Sequence, residues 1–112
     1  MKGTYIGEFE ELVLLTVGLL YNDAYGLAIT DELEKKTGRN ITISSAHKAL
    51  VRLETKGYLK SNMGGATDER GGRKKRLYQL TIAGKQVLNH SKELRNNMWN
   101  SIPKMVWEKE RI

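Results

Sequence analysis

The sequence of 112 residues contains no cysteine, one proline and one phenylalanine. The absence of cysteine excludes disulfides, thiolate metal ligands and a cysteine nucleophile, and it fits a reducing compartment. The low proline content, together with 39% hydrophobic and 29% charged residues, argues against a wholly disordered chain. A chain of this length predicts one domain with a single hydrophobic core.

Long apolar runs are also missing. The longest runs from Leu12 to Leu20, which is too short to span a bilayer that needs about 20 apolar residues. Acidic residues precede this run and no small-residue cleavage site follows it, which argues against a secretory signal peptide. We therefore expect a soluble cytoplasmic protein.

Charge is distributed unevenly along the chain. Residues 1–34 contain one lysine and seven acidic residues, whereas residues 35–112 contain 18 basic and six acidic residues. A basic region on a small domain is typical of proteins that bind polyanions. A lysine-rich surface that aids solubility is the alternative interpretation, and charge alone does not separate the two.

Hydrophobic periodicity predicts two helices in the acidic part of the chain. The first, from Glu8 to Tyr21, is apolar around most of its circumference. A surface helix needs only one apolar stripe, so we expect one face to meet the domain's own core and another to meet a second subunit. The second helix covers Tyr25 to Lys36 and should terminate at Gly38.

A third helix is predicted after a short extended segment at Ile41–Ile43. Ser44 or Ser45 is the expected N-cap, and Gly57 ends the helix. Its inward residues are spaced by three, one and three positions and are Ala46, Ala49, Leu50 and Leu53. The opposite face is polar near its N-terminus.

The remaining sequence predicts a β-hairpin and a long last helix. Strands at Tyr58–Met63 and Lys74–Thr81 flank a loop with four glycines, and the second strand alternates as a half-buried strand does. Thr81 is the expected N-cap of the last helix, whose apolar seam consists of Val87, Leu94, Met98 and Met105. Continued to Lys109, this helix would be about 42 Å long and would project from the domain, but Pro103 should kink or end it.

Three helices, a hairpin with a basic glycine-rich loop and a final helix are the elements of a winged helix-turn-helix, a mostly α (α+β) fold. Residues 1–81 are expected to form the DNA-binding domain, and residues 82–112 a C-terminal dimerisation helix of the same structural unit. In this fold the third helix enters the major groove, where base edges can be distinguished, and the wing lies on the phosphate backbone.

The chain resembles the PadR-like transcriptional regulators from Gly7 to about Met105. The matching segments are Glu11–Leu15, Ala24–Gly26, Ala49–Glu54 with Lys56–Gly57, and Gly72–Thr81 with Ala83–Gly84. The resemblance implies a dimeric bacterial repressor, associated with the nucleoid, that dimerises through its first and last helices. The chain departs from the family at Ala46–Lys48, where many members have Leu-Tyr-Pro, so base preference is not carried over.

These arguments predict two groups of functional residues. Residues expected to contact DNA lie on the third helix and the wing: Ser44, Ser45, His47, Lys48, Arg52, Arg73, Lys74, Lys75 and Arg76. Residues expected at the dimer interface are Val13, Leu14, Leu94 and Met98. The run from Arg73 to Arg76 is the strongest signal, because four adjacent cations repel one another and require an anion or solvent.

Two tryptophans lie eight residues apart near the C-terminus. Trp99 and Trp107 are interpreted as dimer packing, because aromatic residues commonly anchor interfaces. The resemblance offers an alternative, an effector site for a planar aromatic compound at the dimer centre near Trp99. Trp99 is preferred because Pro103 is expected to leave Trp107 poorly ordered.

Other kinds of site are not predicted. Glu8, Glu10 and Glu11 are expected to form a solvated acidic first turn favoured by the helix dipole, so neither a metal nor another cofactor is expected. No nucleophile has an evident base and orienting acid, and no phosphate-binding loop is present, so the chain is not expected to be an enzyme.

The sequence therefore predicts a sequence-specific DNA-binding transcriptional regulator. We expect a repressor that binds an inverted-repeat operator as a homodimer and that is released by a small molecule. The alternatives are a non-specific nucleic-acid-binding protein and a protein-binding winged-helix adaptor. The adaptor is disfavoured because the outward side of the third helix has Val51 as its only large apolar group, whereas protein interfaces need apolar anchors.

Overall fold

A computed structural model of the chain describes residues 5–64 and 74–109. They form α1 (Glu8–Leu20), α2 (Gly26–Thr37), α3 (Ile43–Thr55), β1 (Leu59–Met63), β2 (Arg76–Leu80), α4 (Ile82–Ser101) and α5 (Lys104–Lys109). A 3-10 turn at Tyr21–Asp23 joins α1 to α2. The strands pair antiparallel, from Leu59 opposite Leu80 to Met63 opposite Arg76. The predicted winged-helix fold is confirmed, and none of the helices described is long and apolar enough to cross a membrane.

The three N-terminal helices surround one core, which the hairpin closes. The four predicted inward residues of α3 are at most 1% exposed. They pack with buried residues of the other elements, among them Val17, Ile29, Leu33 and Tyr78. The spacing of apolar residues in α3 thus identified its buried face correctly.

The N-terminus of α3 differs from the prediction. Thr42, not Ser44 or Ser45, is the N-cap: its Oγ1 accepts a hydrogen bond from the backbone N–H of Ser45 at 3.0 Å. Ser45 Oγ donates in return to the Thr42 carbonyl at 3.0 Å. Ile41 is buried in the core, Thr42 has extended backbone, and the helix begins at Ile43. Ser44 and Ser45 therefore lie in the first helical turn.

Helix termination follows the predicted glycines. Gly38 and Gly57 have φ values of 72° and 86°, and the backbone N–H of Gly38 donates to the carbonyl of Glu34 at 2.9 Å. Only glycine adopts this left-handed conformation without steric strain. The turns at these two residues set the directions of α3 and of β1.

The junction between β2 and α4 is tightly packed against the end of α3. Thr81 caps α4 as predicted, accepting from the Gly84 N–H at 3.0 Å, and its hydroxyl donates to the Gly57 carbonyl at 2.6 Å. A Cβ at Gly84 would lie 2.2 Å from the carbonyl oxygen of Tyr58. The first turn of α4 therefore rests directly on backbone, which no larger residue at position 84 would allow.

The root of the hairpin is attached to the start of α2. The backbone N–H of Tyr78 donates to the Ala24 carbonyl at 2.9 Å, and Tyr25 forms an isolated antiparallel bridge with Leu77. Ala24 is fully buried beneath this contact. The Ala24–Tyr25 segment thus supports the hairpin as a short third strand would.

The C-terminal part of the chain forms an arm that extends from the domain. Residues 92–101 of α4 are all exposed, and the molecule has a long dimension of 61 Å. The helix ends at Ser101, two residues before Pro103, and α5 follows. The projecting helix and its interruption near Pro103 are both confirmed.

Candidate nucleic-acid interface

The outward face of α3 is polar and solvent-exposed. Successive residues of an α-helix are about 100° apart, so Ser44, Lys48 and Val51 lie near the centre of the face opposite the core. His47 and Arg52 lie on its two flanks. All five side chains are exposed. The predicted groove residues of α3 therefore share one accessible surface, with Ser45 at its edge in the first turn.

Arg52 has a partner that the sequence did not predict. Its Nε donates to Glu10 Oε2 at 2.9 Å, and Lys56 Nζ donates to Glu10 Oε1 at 2.9 Å. Glu10 is only 8% exposed, between α1 and α3. Burial raises the pKa of the Glu10 carboxyl, but the hydrogen bonds from Lys56 and Arg52 outweigh burial and bring the pKa below its ordinary value. Glu10 is therefore a buried carboxylate that links α1 to α3.

The expected solvated acidic turn of α1 is corrected at Glu10, whereas Glu8 stays exposed. Arg39 binds the carboxylate of Glu8, with Nη2 2.6 Å from Oε2, and this hydrogen bond lowers the pKa of Glu8. Arg95 of α4 donates to Glu11 at 2.8 Å. Each carboxylate of the turn thus holds a cation from a different part of the chain. Glu10 precedes buried Val13 by three residues, about one helical turn, so the spacing could have predicted that it lies on the core face of α1.

The cationic run of the hairpin divides into parts with different surroundings. Lys74 and Lys75 are exposed immediately before β2, and Lys75 Nζ lies 4.1 Å from the centre of the Tyr25 ring. Arg76 is on the opposite face of the strand and donates to Ser61 Oγ at 2.9 Å. Arg73 lies outside the described residues. Lys74 and Lys75, with Lys60 on β1, are therefore exposed lysines of the described hairpin, whereas the guanidinium of Arg76 is also hydrogen-bonded within it.

Two of the predicted dimer residues are corrected. Val13 and Leu14 are both 0% exposed in the chain's own core, so they offer no surface to a second copy. The predicted arm residues Leu94 and Met98 are exposed. On α1 the exposed apolar residues are instead Leu15 and Leu19, on the side that completes its predicted second apolar face.

A groove runs between α1 and α4. It is lined by apolar residues from both helices and β2, with polar residues at its rim: Glu11, Leu15, Leu80, Lys85, Leu88, Asn89, Lys92, Arg95 and Asn96. The groove therefore joins exposed Leu15 of α1 to the side of α4 that carries Leu88.

The two tryptophans meet at the end of the arm. Their ring centroids are 5.0 Å apart with an angle of 34° between the planes, because α5 turns back beside α4 after Pro103. Trp99 remains 64% exposed and Trp107 52% exposed. Trp107 thus packs against Trp99 although the helix is interrupted between them. Among the residues described, no group of three or more His, Asp or Glu could hold a metal ion.

The sequence matches the model of the transcriptional regulator PadR-like family over residues 13–90, from α1 into α4. The chain belongs to this PadR-like family of transcriptional regulators. The match covers more than half of the chain and includes α3, the hairpin and the root of the arm. Family membership assigns the chain to transcriptional regulation rather than to an enzyme class. No curated protein sequence matches the chain significantly.

Solved PadR-family structures share the fold. A PadR family transcription regulator from hypervirulent Clostridium difficile is 21% identical, with a TM-score of 0.69 over 89% of this chain and 99% of that one. A PadR family regulator from Eggerthella lenta is 26% identical, with a TM-score of 0.64 over 88% and 86%. Bacillus subtilis PadR, solved in complex with operator DNA, is 24% identical, with a TM-score of 0.59 over 74% of this chain and 45% of that one.

Proposed function

We propose that the chain is a sequence-specific DNA-binding repressor that acts at the nucleoid as a homodimer on an inverted-repeat operator. The main observation behind this proposal is that α3 is amphipathic: its inward residues are buried, while its outward face is polar, cationic and exposed to solvent. A helix with such a face fits the major groove. The operator complex of Bacillus subtilis PadR, which has the same fold, supports the proposal.

The exposed residues of α3 have proposed roles in DNA binding. We propose that Lys48 and His47 contact base edges, while Ser44, Ser45 and Arg52 bind phosphates beside the groove. On the wing, Arg73, Lys74 and Lys75 are proposed to follow the backbone, where cations displace condensed counterions. Arg76 is proposed mainly to hold the hairpin against α3, because it donates to Ser61 and the Ser61 hydroxyl donates to the Glu54 carboxylate of α3 at 2.8 Å.

We assign the dimer contact to the arm and to the exposed side of α1. Leu94 and Met98 on the arm and Leu15 and Leu19 on α1 are the exposed apolar residues that we assign to contact with a second copy. A symmetric dimer would place the two α3 helices on half-sites about 34–36 Å apart, one turn of DNA. Leu94→Asp should convert the dimer to monomer in analytical ultracentrifugation. A chain that is monomeric at the concentrations of DNA binding would contradict the assignment.

Selection of bound duplexes from a random DNA library, at two salt concentrations, tests the DNA-binding proposal. We expect an inverted repeat to be enriched at both, since base contacts persist while phosphate contacts weaken with salt. Retention of DNA without an enriched sequence would indicate a non-specific binder. No retention at either salt concentration would favour the protein-binding adaptor.

The contribution of the wing can be measured in a related experiment, from the salt dependence of DNA affinity. Neutralising Arg73 and Lys74 to glutamine should weaken binding of all sequences to a similar degree. It should also reduce the slope of log affinity against log salt by about one unit for each phosphate that the wing no longer binds. An unchanged slope would remove the wing from the footprint.

The effector component of the proposal is tied to Trp99. A flat aromatic ligand that binds there should quench tryptophan fluorescence and lower DNA affinity, which makes it an inducer of the repressor. The matched variants are Trp99→Phe and Trp107→Phe. Quenching that survives in Trp99→Phe would place the ligand elsewhere, and quenching without an effect on DNA affinity would contradict its role as an inducer.

A further inference from the structure

Glu10 differs from its neighbours in the first turn of α1 because it is buried and because both of its partners belong to α3 or its C-terminal cap. Its two oxygens accept from Arg52 Nε and Lys56 Nζ at 2.9 Å each. The carboxylates of Glu8 and Glu11 in the same turn pair with cations outside α3. Among the three, Glu10 is thus the carboxylate in contact with the helix proposed to read DNA.

This carboxylate reduces the charge that α3 presents. Arg52 and Lys56 lie one turn apart on the flank of α3 next to Lys48, and their side chains are 52% and 44% exposed. The carboxylate of Glu10 cancels one of these two positive charges, so the group of three side chains carries a net charge of +1 instead of +2. Because Glu10 is buried, it cannot swing away from the pair, so both cations are held where the carboxylate is.

Restraint of a cation affects specific and non-specific DNA binding differently. Non-specific affinity grows with the number of cations that can each find a phosphate, in whatever register the protein lies. A cation held by a buried carboxylate meets a phosphate only in the register that brings the phosphate to it. Restraint therefore lowers binding to arbitrary DNA more than binding to a matched site.

We propose that Glu10 is a positioning residue of the DNA interface, which holds Arg52 and Lys56 so that they bind phosphates in the operator register and contribute little on other sequences. This inference rests on the DNA-binding function proposed above. It assigns a role in operator discrimination to a residue that contacts no DNA itself.

The test compares Glu10→Gln with Glu11→Gln. Both variants remove one negative charge from the same helical turn, but the partner of Glu11 is Arg95 on the arm. Affinity is measured by fluorescence anisotropy for the selected operator and for a scrambled duplex of equal length, over a range of salt concentrations.

For Glu10→Gln we expect the salt slope on the scrambled duplex to steepen by about one unit, and the operator preference to fall about tenfold near 0.1 M salt. Glu11→Gln should leave both quantities unchanged, because salt screens charges over about 10 Å. Equal changes in the two variants, or an unchanged operator preference in Glu10→Gln, would overturn the proposal.

A second pair of variants leaves Glu10 in place, and it decides the question if Glu10→Gln does not fold. Lys48 lies on the open face of α3, whereas Lys56 is held by Glu10. On the scrambled duplex, Lys48→Met should flatten the salt slope by about one unit and Lys56→Met by less than half of that. Equal flattening would show that Lys56 is as available as Lys48, which contradicts the restraint.

The two proposals fail in different ways. If the unaltered chain prefers no sequence, the repressor proposal fails and the operator role of Glu10 fails with it. If the unaltered chain prefers an operator and Glu10→Gln keeps the same preference, only the role of Glu10 fails.

Discussion

The domain formed by α1, α2, α3 and the hairpin contrasts with the arm formed by the outer part of α4 and by α5. In the domain, apolar side chains from every element are buried together. In the arm, from Lys92 to Trp107, Ile102 is half-buried and every other residue is exposed. The domain is stabilised by contacts within the chain, whereas the arm carries apolar surface whose burial requires another molecule.

The largest expected effect is a difference in unfolding free energy between a substitution in the domain and one in the arm. Leu53→Ala, at a residue that is 0% exposed, should lower the free energy of unfolding by about 3 kcal/mol, because it leaves a cavity in a packed core. Met98→Ala should change it by less than about 0.5 kcal/mol at concentrations where the chain is monomeric. Urea denaturation at low protein concentration measures both. Equal losses would mean that the arm belongs to the core.

The junction between domain and arm is the next most sensitive place. Gly84→Ala would bring a methyl group against the Tyr58 carbonyl, and we expect a loss of about 2–3 kcal/mol as the backbone shifts to relieve the overlap. Gly26→Ala is the matched control, since a Cβ there meets nothing within 4 Å. Thermal denaturation of both variants tests the difference. A Gly84→Ala protein as stable as Gly26→Ala would contradict the close approach.

The link between α1 and α3 should show in the pH dependence of stability. The pKa of Glu10 is lowered in the folded chain, so its stabilising contribution is complete above the unfolded value of 4.5 and is lost as the pH falls through the folded-state pKa. We expect Glu10→Gln to cost about 1–2 kcal/mol at pH 7, since its half-exposed partners are partly screened by solvent.

Denaturation of Glu10→Gln and of the unaltered chain at a series of acidic pH values measures this dependence. The difference between them should vanish as the carboxyl of the unaltered chain is protonated. Leu53→Ala removes no titratable group, so its cost should stay constant over the same range. A pH-independent cost of Glu10→Gln would show that charge does not contribute to the link.

The smallest effect is expected within the arm. Trp107→Leu removes the ring that lies against Trp99, and such aromatic pairs contribute about 0.5–1.5 kcal/mol. The loss should appear as faster amide exchange in α5 rather than as a change in the unfolding of the domain. Faster exchange in α3 as well would join the arm to the domain and weaken the contrast.

Local patterns predicted much of the domain, because its elements follow short-range rules. The buried face of α3 came from apolar spacing, and the turns at Gly38 and Gly57 came from helix-termination preferences. The N-cap was misplaced because three hydroxyl residues that can each cap a helix, Thr42, Ser44 and Ser45, stand close together.

The site was less predictable, because its contacts join distant parts of the chain. The partners of Glu10 are 42 and 46 residues away, and no local rule connects them. The dimer residues of α1 were hard to predict because the helix is apolar on most sides, and its sequence does not show which side packs into the domain's own core. In the structure Val13 and Leu14 pack into the core, and Leu15 and Leu19 stay on the surface. Because side chains alternate between the two faces of a strand, the sequence could have predicted that Arg76 and Lys75 point to opposite sides of the hairpin.

The five-residue strand β2 begins at the wing and ends one residue before α4, the helix that continues into the arm, with Thr81 between them. Thr81 is fastened to the backbone of Gly57 and Tyr58, and Tyr78 in the middle of the strand is fastened to Ala24. Hydrogen bonds therefore fix both the middle of β2 and its junction with α4. Because no flexible linker separates β2 from α4, we expect a reorientation of α4 to move the wing and the end of α3 with it.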